Sequence, residues 1–104
     1  MKAPRHTSKT MTVLAAIADN SAKGISGAEI MAQCGLWSGT AYPILLRILE
    51  AGWVSAEWEM GDPSMLGRPL KRLYRICGLG QSELQAYRRS AEKDLRTIEA
   101  KWAT

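Results

Sequence analysis

The chain of 104 residues has one histidine, two cysteines and no phenylalanine. Because His6 lies close to the N-terminus and outside any periodic apolar pattern, the sequence provides neither a nucleophile–histidine–acid triad nor a histidine metal site on a rigid scaffold. Cys34 and Cys77 are too few and too widely spaced for a disulfide framework or a zinc site. We expect both cysteines to be reduced and buried.

Complete catalytic and cofactor motifs are missing as well. Gly78-Leu79-Gly80 begins like a dinucleotide-binding loop, but it lacks the third glycine and a preceding buried parallel strand. Glu57 and Glu59 share one face of a predicted strand, and such an exposed pair is far more often solvated surface than an acid–base couple. We therefore expect no enzymatic activity, no cofactor and no metal.

Long apolar runs are absent. No segment approaches the roughly 20 apolar residues that cross a bilayer, and Met1 to Thr10 lacks the apolar core of a secretion signal. We expect a soluble, cytoplasmic protein with a modest core, which would gain stability from dimerisation.

Acidic residues are missing from two basic stretches, and the formal net charge is +4. The N-terminal stretch precedes Asp19, the first acid, and contains Lys2, Arg5 and Lys9. The second lies between Met65 and Ser82 and contains Arg68, Lys71, Arg72 and Arg75. Such clusters favour a polyanionic partner, although exposed hairpins are also charged for solubility alone.

Two short helix signatures lie in the middle of the chain. The first opens with the capping box Ser26-Gly27-Ala28-Glu29 and ends at Gly35, which favours a left-handed stop. The second opens at Ser38, whose hydroxyl is a candidate cap, and carries Tyr42, Leu45, Leu46 and Leu49 at helical spacing. Pro43 lies near the start of this helix, so we expect a slight bend and no break. The short connection predicts a helix-turn-helix.

A hairpin follows the two helices. From Trp53 to Met60 the period changes to two, which places Val54, Ala56, Trp58 and Met60 on one inward face. Gly61-Asp62-Pro63 and Gly67-Arg68-Pro69 bracket a loop, and Leu70 to Cys77 supplies a return strand with Tyr74 and Ile76 facing inward. A hairpin after a helix-turn-helix is expected to be a wing.

The remaining segments complete the predicted architecture. Residues 1–7 are expected to be a mobile arm, and the first helix is expected from about Ser8 to Ala22. Residues 78–80 are expected to be a hinge, followed by a long helix from about Ser82 to Trp102. The predicted fold is mostly α with a small β-hairpin: a winged helix-turn-helix DNA-binding domain with its arm at 1–80, and a C-terminal dimerisation helix at 81–104. Apolar positions spaced three, four and seven apart predict its dimer interface, namely Leu84, Ala91, Leu95, Ile98 and Trp102.

Three linked segments resemble the PadR family of transcriptional regulators, over roughly residues 11 to 80. They are Gly27-Ala28-Glu29-Ile30, then Leu36-Trp37-Ser38-Gly39-Thr40-Ala41-Tyr42-Pro43 through Arg47 to Gly52-Trp53, and finally Gly67-Arg68-Pro69-Leu70-Lys71-Arg72-Leu73-Tyr74. Ala28, Leu70 and Cys77 depart from the family pattern, in which an aromatic residue, a basic residue and a helix-capping threonine are usual. The resemblance implies a winged-helix regulator that pairs through its last helix.

The recognition helix and the wing hold the candidate DNA contacts. The N-terminus of a helix offers free N–H groups to a phosphate, and hydroxyl, phenol and guanidinium groups add donors. The predicted DNA-binding residues are Ser38, Gly39, Thr40, Tyr42, Arg47, Arg68, Lys71, Arg72 and Lys9. Arg68 is expected to be the principal wing contact because glycine and proline hold the turn around it. The resemblance also implies an effector site for flat aromatic molecules between subunits, with Trp102, Trp37 and Trp58 as candidate walls. Ordinary packing is the more common reason for each of these tryptophans.

The sequence therefore predicts a homodimeric transcriptional regulator, a repressor on a pseudo-palindromic DNA site, released by a small aromatic effector. Two alternatives stay open. One is a winged-helix module that works through protein–protein contacts, and the other is a ligand-binding protein with little DNA affinity.

Overall fold

The computed structural model describes residues 3–103, so that Met1, Lys2 and Thr104, including one member of the N-terminal basic cluster, lie outside the described part. The elements follow the order α1 (Ser8–Asp19), β1 (Ile25–Ser26), α2 (Gly27–Cys34), α3 (Ser38–Glu50), β2 (Val54–Trp58), α4 (Pro63–Leu66), β3 (Arg72–Ile76) and α5 (Gly78–Trp102). This arrangement of helices around a small antiparallel sheet confirms the predicted fold class.

Helix α2 begins and ends as its capping signals predict. The Ser26 hydroxyl oxygen accepts the Glu29 backbone N–H at 3.2 Å and donates to the Glu29 carboxylate at 2.9 Å. That contact is the first of the causes that lower the pKa of Glu29. Gly35 ends the helix with a φ of 65°, a left-handed conformation that favours glycine.

Helix α3 differs from the prediction at its first residue. Its N-cap is Trp37, which makes no side-chain capping bond, and the Trp37 carbonyl accepts the N–H groups of Thr40 and Ala41 at 3.0 and 2.9 Å. The prediction that Ser38 caps the helix is therefore wrong, because Ser38 is already its first helical residue. The helix continues through Pro43 without a break, as expected.

The sheet has three antiparallel strands in the order β1–β3–β2. Strand β1 was not predicted, since two residues are too short for a periodic pattern; Ile25 pairs with Tyr74. The expectation that Trp58 and Met60 face the core is wrong, because their side chains are 63% and 91% exposed. The hairpin extends beyond the hydrophobic core, which on this strand reaches Val54 and the half-buried Ala56.

Helix α5 begins at Gly78, so the predicted hinge at 78–80 is wrong. Gly80 is buried where α5 meets the main chain of Trp53, and a Cβ on it would overlap the Trp53 carbonyl. The glycine therefore serves close packing and not flexibility. The capping box predicted at Ser82 lies inside the helix, which Cys77 precedes as an N-cap without a side-chain bond.

The N-terminal segment is anchored at one residue, contrary to the expected mobile arm. The His6 Nε2 lies 2.6 Å from the Glu83 carboxylate of α5. The His6 ring also lies edge-on to Trp53 and Tyr87, with centroids 5.9 and 6.1 Å apart. Residues 3–7 have no regular secondary structure, and part of this segment lines a hollow beside α3.

The hydrophobic core joins α1, α3, the sheet and the start of α5. Val13, Ile17, Ile48 and Trp53 are among its fully buried members. Leu84 is 4% exposed and belongs to this core, so its assignment to the dimer interface is wrong. Its burial within one chain results from the packing of α5 on α1.

The rest of α5 extends away from the domain. From residue 88 to 103 every side chain is exposed, including Ala91, Leu95, Ile98 and Trp102. The molecule is consequently elongated, with extents of 65 × 27 × 26 Å. No helix within residues 3–103 is long and apolar enough to cross a membrane. Cys34 and Cys77 are free and half-buried, less buried than expected.

Candidate nucleic-acid interface

Helix α3 separates its core side chains from the predicted contact residues. Ala41, Ile44, Leu45 and Ile48 are buried. The outward face presents Ser38, Gly39, Tyr42 and Arg47, with Thr40 half-buried beside them. A Cβ built on Gly39 would meet nothing within 4 Å, so the backbone is open to a ligand at the first turn. The N–H groups at a helix start lack intrahelical partners and favour an anion.

A first cleft lies between the N-terminus of α1 and helix α3, and we call it the α1 cleft. Lys9, Gly39, Thr40 and Arg47 line it, so the fold brings together residues that are far apart in sequence. An adjoining hollow shares Arg47 and adds Arg5. None of the residues that line these two hollows is acidic. The α1 cleft is therefore a site of concentrated positive charge.

A second cleft lies on the other side of α3, between it, the start of α2 and the wing, which comprises residues 54–76. We call it the wing cleft, and Tyr42, Lys71, Arg72, Tyr74 and residues 26–28 line it. Tyr42 lies so close to Gly27 that an added Cβ there would come within 3.2 Å of the phenol oxygen. Residues 26–28 were not predicted in the site, because only tertiary packing brings α2 against Tyr42.

Arg68 is bound within the wing. Its guanidinium donates to both carboxylate oxygens of Glu59, at 2.7 and 2.9 Å, and to the Pro69 carbonyl at 3.1 Å. The Arg68 hydrogen bond lowers the pKa of Glu59 from 4.5 to about 2, and the same bond raises the pKa of Arg68. This geometry favours a structural role for Arg68, which holds the turn of the wing, over the principal DNA contact predicted from the sequence.

Two further wing bases also have carboxylate partners. Lys71 Nζ lies 3.4 Å from the Glu29 carboxylate. Arg75 forms an ion pair with Glu57 and donates to main-chain carbonyls after α1, at 3.1 Å to Ser21 and 3.0 Å to Lys23. Glu57 and Glu59 are thus both ion-paired with arginines, and the Glu57 side chain stays exposed, as expected, whereas that of Glu59 is largely covered. Arg75 mainly ties β3 to the end of α1.

The three candidate effector tryptophans lie on three different elements. Trp37 is 87% exposed at the turn before α3, Trp58 lies in the wing, and Trp102 is 85% exposed at the end of α5. Within residues 3–103 none of them makes a ring–ring contact with another aromatic side chain. One chain alone therefore does not assemble them into a single stacking surface.

Comparisons with known proteins identify the class of fold. No family model and no curated protein matches the chain. A PadR-like transcription factor from Bacteroides fragilis superposes with a TM-score of 0.72 at 19% identity, covering 88% of this chain and 86% of that one. A PadR-like transcriptional regulator from Bacillus cereus superposes with a TM-score of 0.71 at 18% identity, covering 91% of each chain.

A point mutant of S. aureus MepR, solved bound to an oligodeoxyribonucleotide, superposes with a TM-score of 0.72 at 11% identity and 90% coverage of this chain. The chain spans 64 to 65% of the length of MepR chains. At these identities the comparisons establish the fold, which is the winged helix of PadR-like and MepR regulators. The resemblance to PadR-like regulators that the motifs predicted is therefore confirmed for the fold.

Proposed function

We propose that the chain is a DNA-binding transcriptional regulator that places α3 in the major groove. The observation that carries this proposal is the pair of basic clefts, one on each side of the exposed face of α3. A major groove is about 12 Å wide and bordered by two phosphate strands, so it admits one helix. The lysine and arginine side chains on each flank of that helix would contact one of the two phosphate strands.

Individual roles follow from position. The N-terminal turn of α3 would bind a phosphate through the backbone N–H groups of Ser38 and Gly39 and the hydroxyls of Ser38 and Thr40. Lys9 and Arg47 would contact one strand from the α1 cleft. Lys71 and Arg72 would contact the other strand from the wing cleft, and Tyr42 faces the same cleft. With few base-reading side chains on α3, we expect DNA shape to supply much of the specificity.

We further propose that the protein acts as a homodimer. The distal half of α5 carries Ala91, Leu95, Ile98 and Trp102 at interlocked three- and four-residue spacings, all exposed in the single chain. Burial of this stripe against the same stripe of a second copy would satisfy two-fold symmetry. A two-fold dimer would bind a pseudo-palindromic operator with one α3 in each half-site, and we propose that it represses transcription there.

For a small effector we propose a planar aromatic molecule at the dimer axis, with Trp102 as its stacking surface. Trp37 and Trp58 lie on other elements, so that within a single chain they do not form one stacking surface with Trp102. Such a ligand would release DNA only if it bound the dimer conformation that cannot bind DNA more tightly than the conformation that can.

The decisive experiment measures binding to duplex DNA as a function of salt concentration. If each subunit neutralises about four phosphates, the logarithmic slope for the dimer is expected near −7. Lys9→Ala and Arg47→Ala should each weaken binding and make the slope shallower by roughly 0.9 per subunit. Lys93→Ala, on α5 and outside both clefts, serves as the matched control. A slope shallower than about −2 for the parent protein would contradict DNA binding as its function.

One observation supports a protein-docking alternative. Met60 and Met65 expose apolar side chains on the wing, at 91% and 85%. A winged-helix module that binds proteins through this surface would have negligible, salt-insensitive affinity for random duplex DNA, so the same titration separates the two functions.

A further inference from the structure

Arg72 differs from the other three basic residues of the wing in its side-chain partner. Arg68, Lys71 and Arg75 each have a glutamate partner. Within residues 3–103, no carboxylate lies in ion-pair distance of Arg72, and its guanidinium carbon lies 6.0 Å from the centre of the Trp58 ring. The wing therefore holds one arginine on an aromatic face and leaves its charge unneutralised.

The strand register fixes where this pair points. Trp58 and Arg72 are directly paired across β2 and β3, in the same series as Ala56 with Tyr74. Residues two apart on a strand, and residues directly opposite on neighbouring strands, share one face of a sheet. Tyr74 is buried on that face and lines the wing cleft together with Arg72 and Tyr42. Trp58 and Arg72 thus continue the inward face of the sheet, on the side that turns toward α3.

Core packing does not explain Trp58. Its side chain is 63% exposed, and the hydrophobic core excludes it. An indole face attracts a guanidinium electrostatically, but it neither neutralises the positive charge nor occupies the N–H donors as a carboxylate does. A guanidinium held in this way is restricted in orientation and still available to an anion in the cleft.

We propose that Trp58 is a positioning residue for DNA binding: it holds Arg72 against the wing cleft, where the guanidinium contacts a backbone phosphate. This inference rests on the proposed function and deepens it. It moves Trp58 from the effector site to the nucleic-acid interface, and it makes Arg72 the principal wing contact in place of Arg68.

The test is a double-mutant cycle in the full chain, with duplex affinity measured over a series of salt concentrations. Arg72→Ala should weaken binding and make the salt slope shallower by about 0.9 for each subunit. Trp58→Ala should weaken binding about two- to fivefold per subunit, the loss expected for an exposed cation–π contact. Its slope should change less, because the charge stays in place. In the Arg72→Ala background, removal of Trp58 should cause no further loss.

Two controls separate positioning from folding. Trp58→Phe keeps an aromatic face and should retain part of the affinity. Met60→Ala removes another exposed apolar side chain of the hairpin and should have no effect. Thermal unfolding should be nearly unchanged in every variant, since the substituted side chains are exposed.

Three results would overturn the inference while leaving DNA binding intact. They are unchanged affinity in Trp58→Ala, unchanged affinity in Arg72→Ala, and losses that add in the double variant, which would mean that Trp58 touches DNA by itself. A parent protein without salt-dependent duplex binding would instead refute the proposed function, and the inference with it.

Discussion

Gly80 of α5 lies directly against the main-chain carbonyl of Trp53. The same carbonyl accepts the backbone N–H of Cys77 at 2.9 Å, just before the helix begins. A Cβ on Gly80 would overlap the carbonyl and would also come within 3.0 Å of the Ile76 side chain. The missing side chain of Gly80 therefore lets the start of α5 pack directly on the main chain of Trp53.

We therefore expect Gly80→Ala to lower the free energy of unfolding by about 1–3 kcal/mol, the usual cost of overpacking. Gly78→Ala is the matched control, because Gly78 lies in the same helical turn and a Cβ there would meet nothing within 4 Å. It should be neutral or stabilise by up to about 1 kcal/mol, since alanine favours helices. Urea unfolding of both variants measures the difference. Equal effects would mean that the close approach does not constrain the fold.

Gly39→Ala separates stability from DNA binding. The added methyl group has open space and a better helix former replaces glycine, so the midpoint of thermal unfolding should be unchanged or raised. The same methyl group projects at the helix start where the backbone is proposed to approach a phosphate, and we expect weaker duplex binding. Calorimetry and a binding titration on one preparation test this. Unaltered affinity would show that DNA does not approach the first turn of α3.

The Glu59–Arg68 pair predicts an acid dependence of stability. The folded-state pKa of Glu59 is lowered to about 2 from 4.5. A carboxyl group whose pKa is lower in the folded state stabilises the fold fully at pH values above its unfolded-state pKa. This stabilisation is lost as the pH falls through its folded-state pKa. Glu59→Gln should therefore lower the melting temperature at pH 6, and its difference from the parent should shrink between pH 4.5 and pH 2. A difference that is constant with pH would contradict this role for the carboxylate.

Leu95→Lys tests the proposed dimer through a side chain that is exposed in one chain. A charge buried without a partner costs several kcal/mol, so the dimer should dissociate while the domain stays folded. Sedimentation and circular dichroism measure the two properties separately. Leu84→Ala is the contrast, because it opens a cavity inside the domain and should cost about 2–5 kcal/mol of stability. An intact Leu95→Lys dimer would place the interface elsewhere.

The effector proposal predicts a signal from Trp102. Planar aromatic compounds that stack on its indole should quench tryptophan fluorescence and reduce operator affinity in the same titration. Trp102→Ala should abolish both responses. Quenching that survives the substitution would exclude Trp102, and quenching without a change in operator affinity would mean that the ligand does not regulate binding.

Local signals in the sequence were sufficient for most of the elements. The capping box at Ser26 and the left-handed stop at Gly35 define α2 through hydrogen bonds between near neighbours. The change from helical to alternating periodicity predicts the hairpin, and Tyr74 faces inward as that alternation requires. These features depend on residues a few positions apart, which is why a pattern along the chain reveals them.

The structure departs from the sequence-based expectation where distant segments meet. The sequence predicts a hinge at Gly80, because it does not reveal that the Trp53 carbonyl occupies the space of the missing side chain. Leu84 fits a dimer interface by its spacing and belongs to the core in the structure, because the apolar spacing of a helix does not specify whether its own domain or a partner covers each residue.

The charges of the wing show the same division. The sequence alone determined that arginine and lysine crowd residues 68–75, which lead into and form the second strand of the hairpin. Only the tertiary structure decided which of these side chains has a carboxylate partner, because Glu59, Glu57 and Glu29 come from other parts of the chain and form ion pairs with Arg68, Arg75 and Lys71. Electrostatic pairing depends on distance in space, and the chain fixes that distance only once strands and helices have packed.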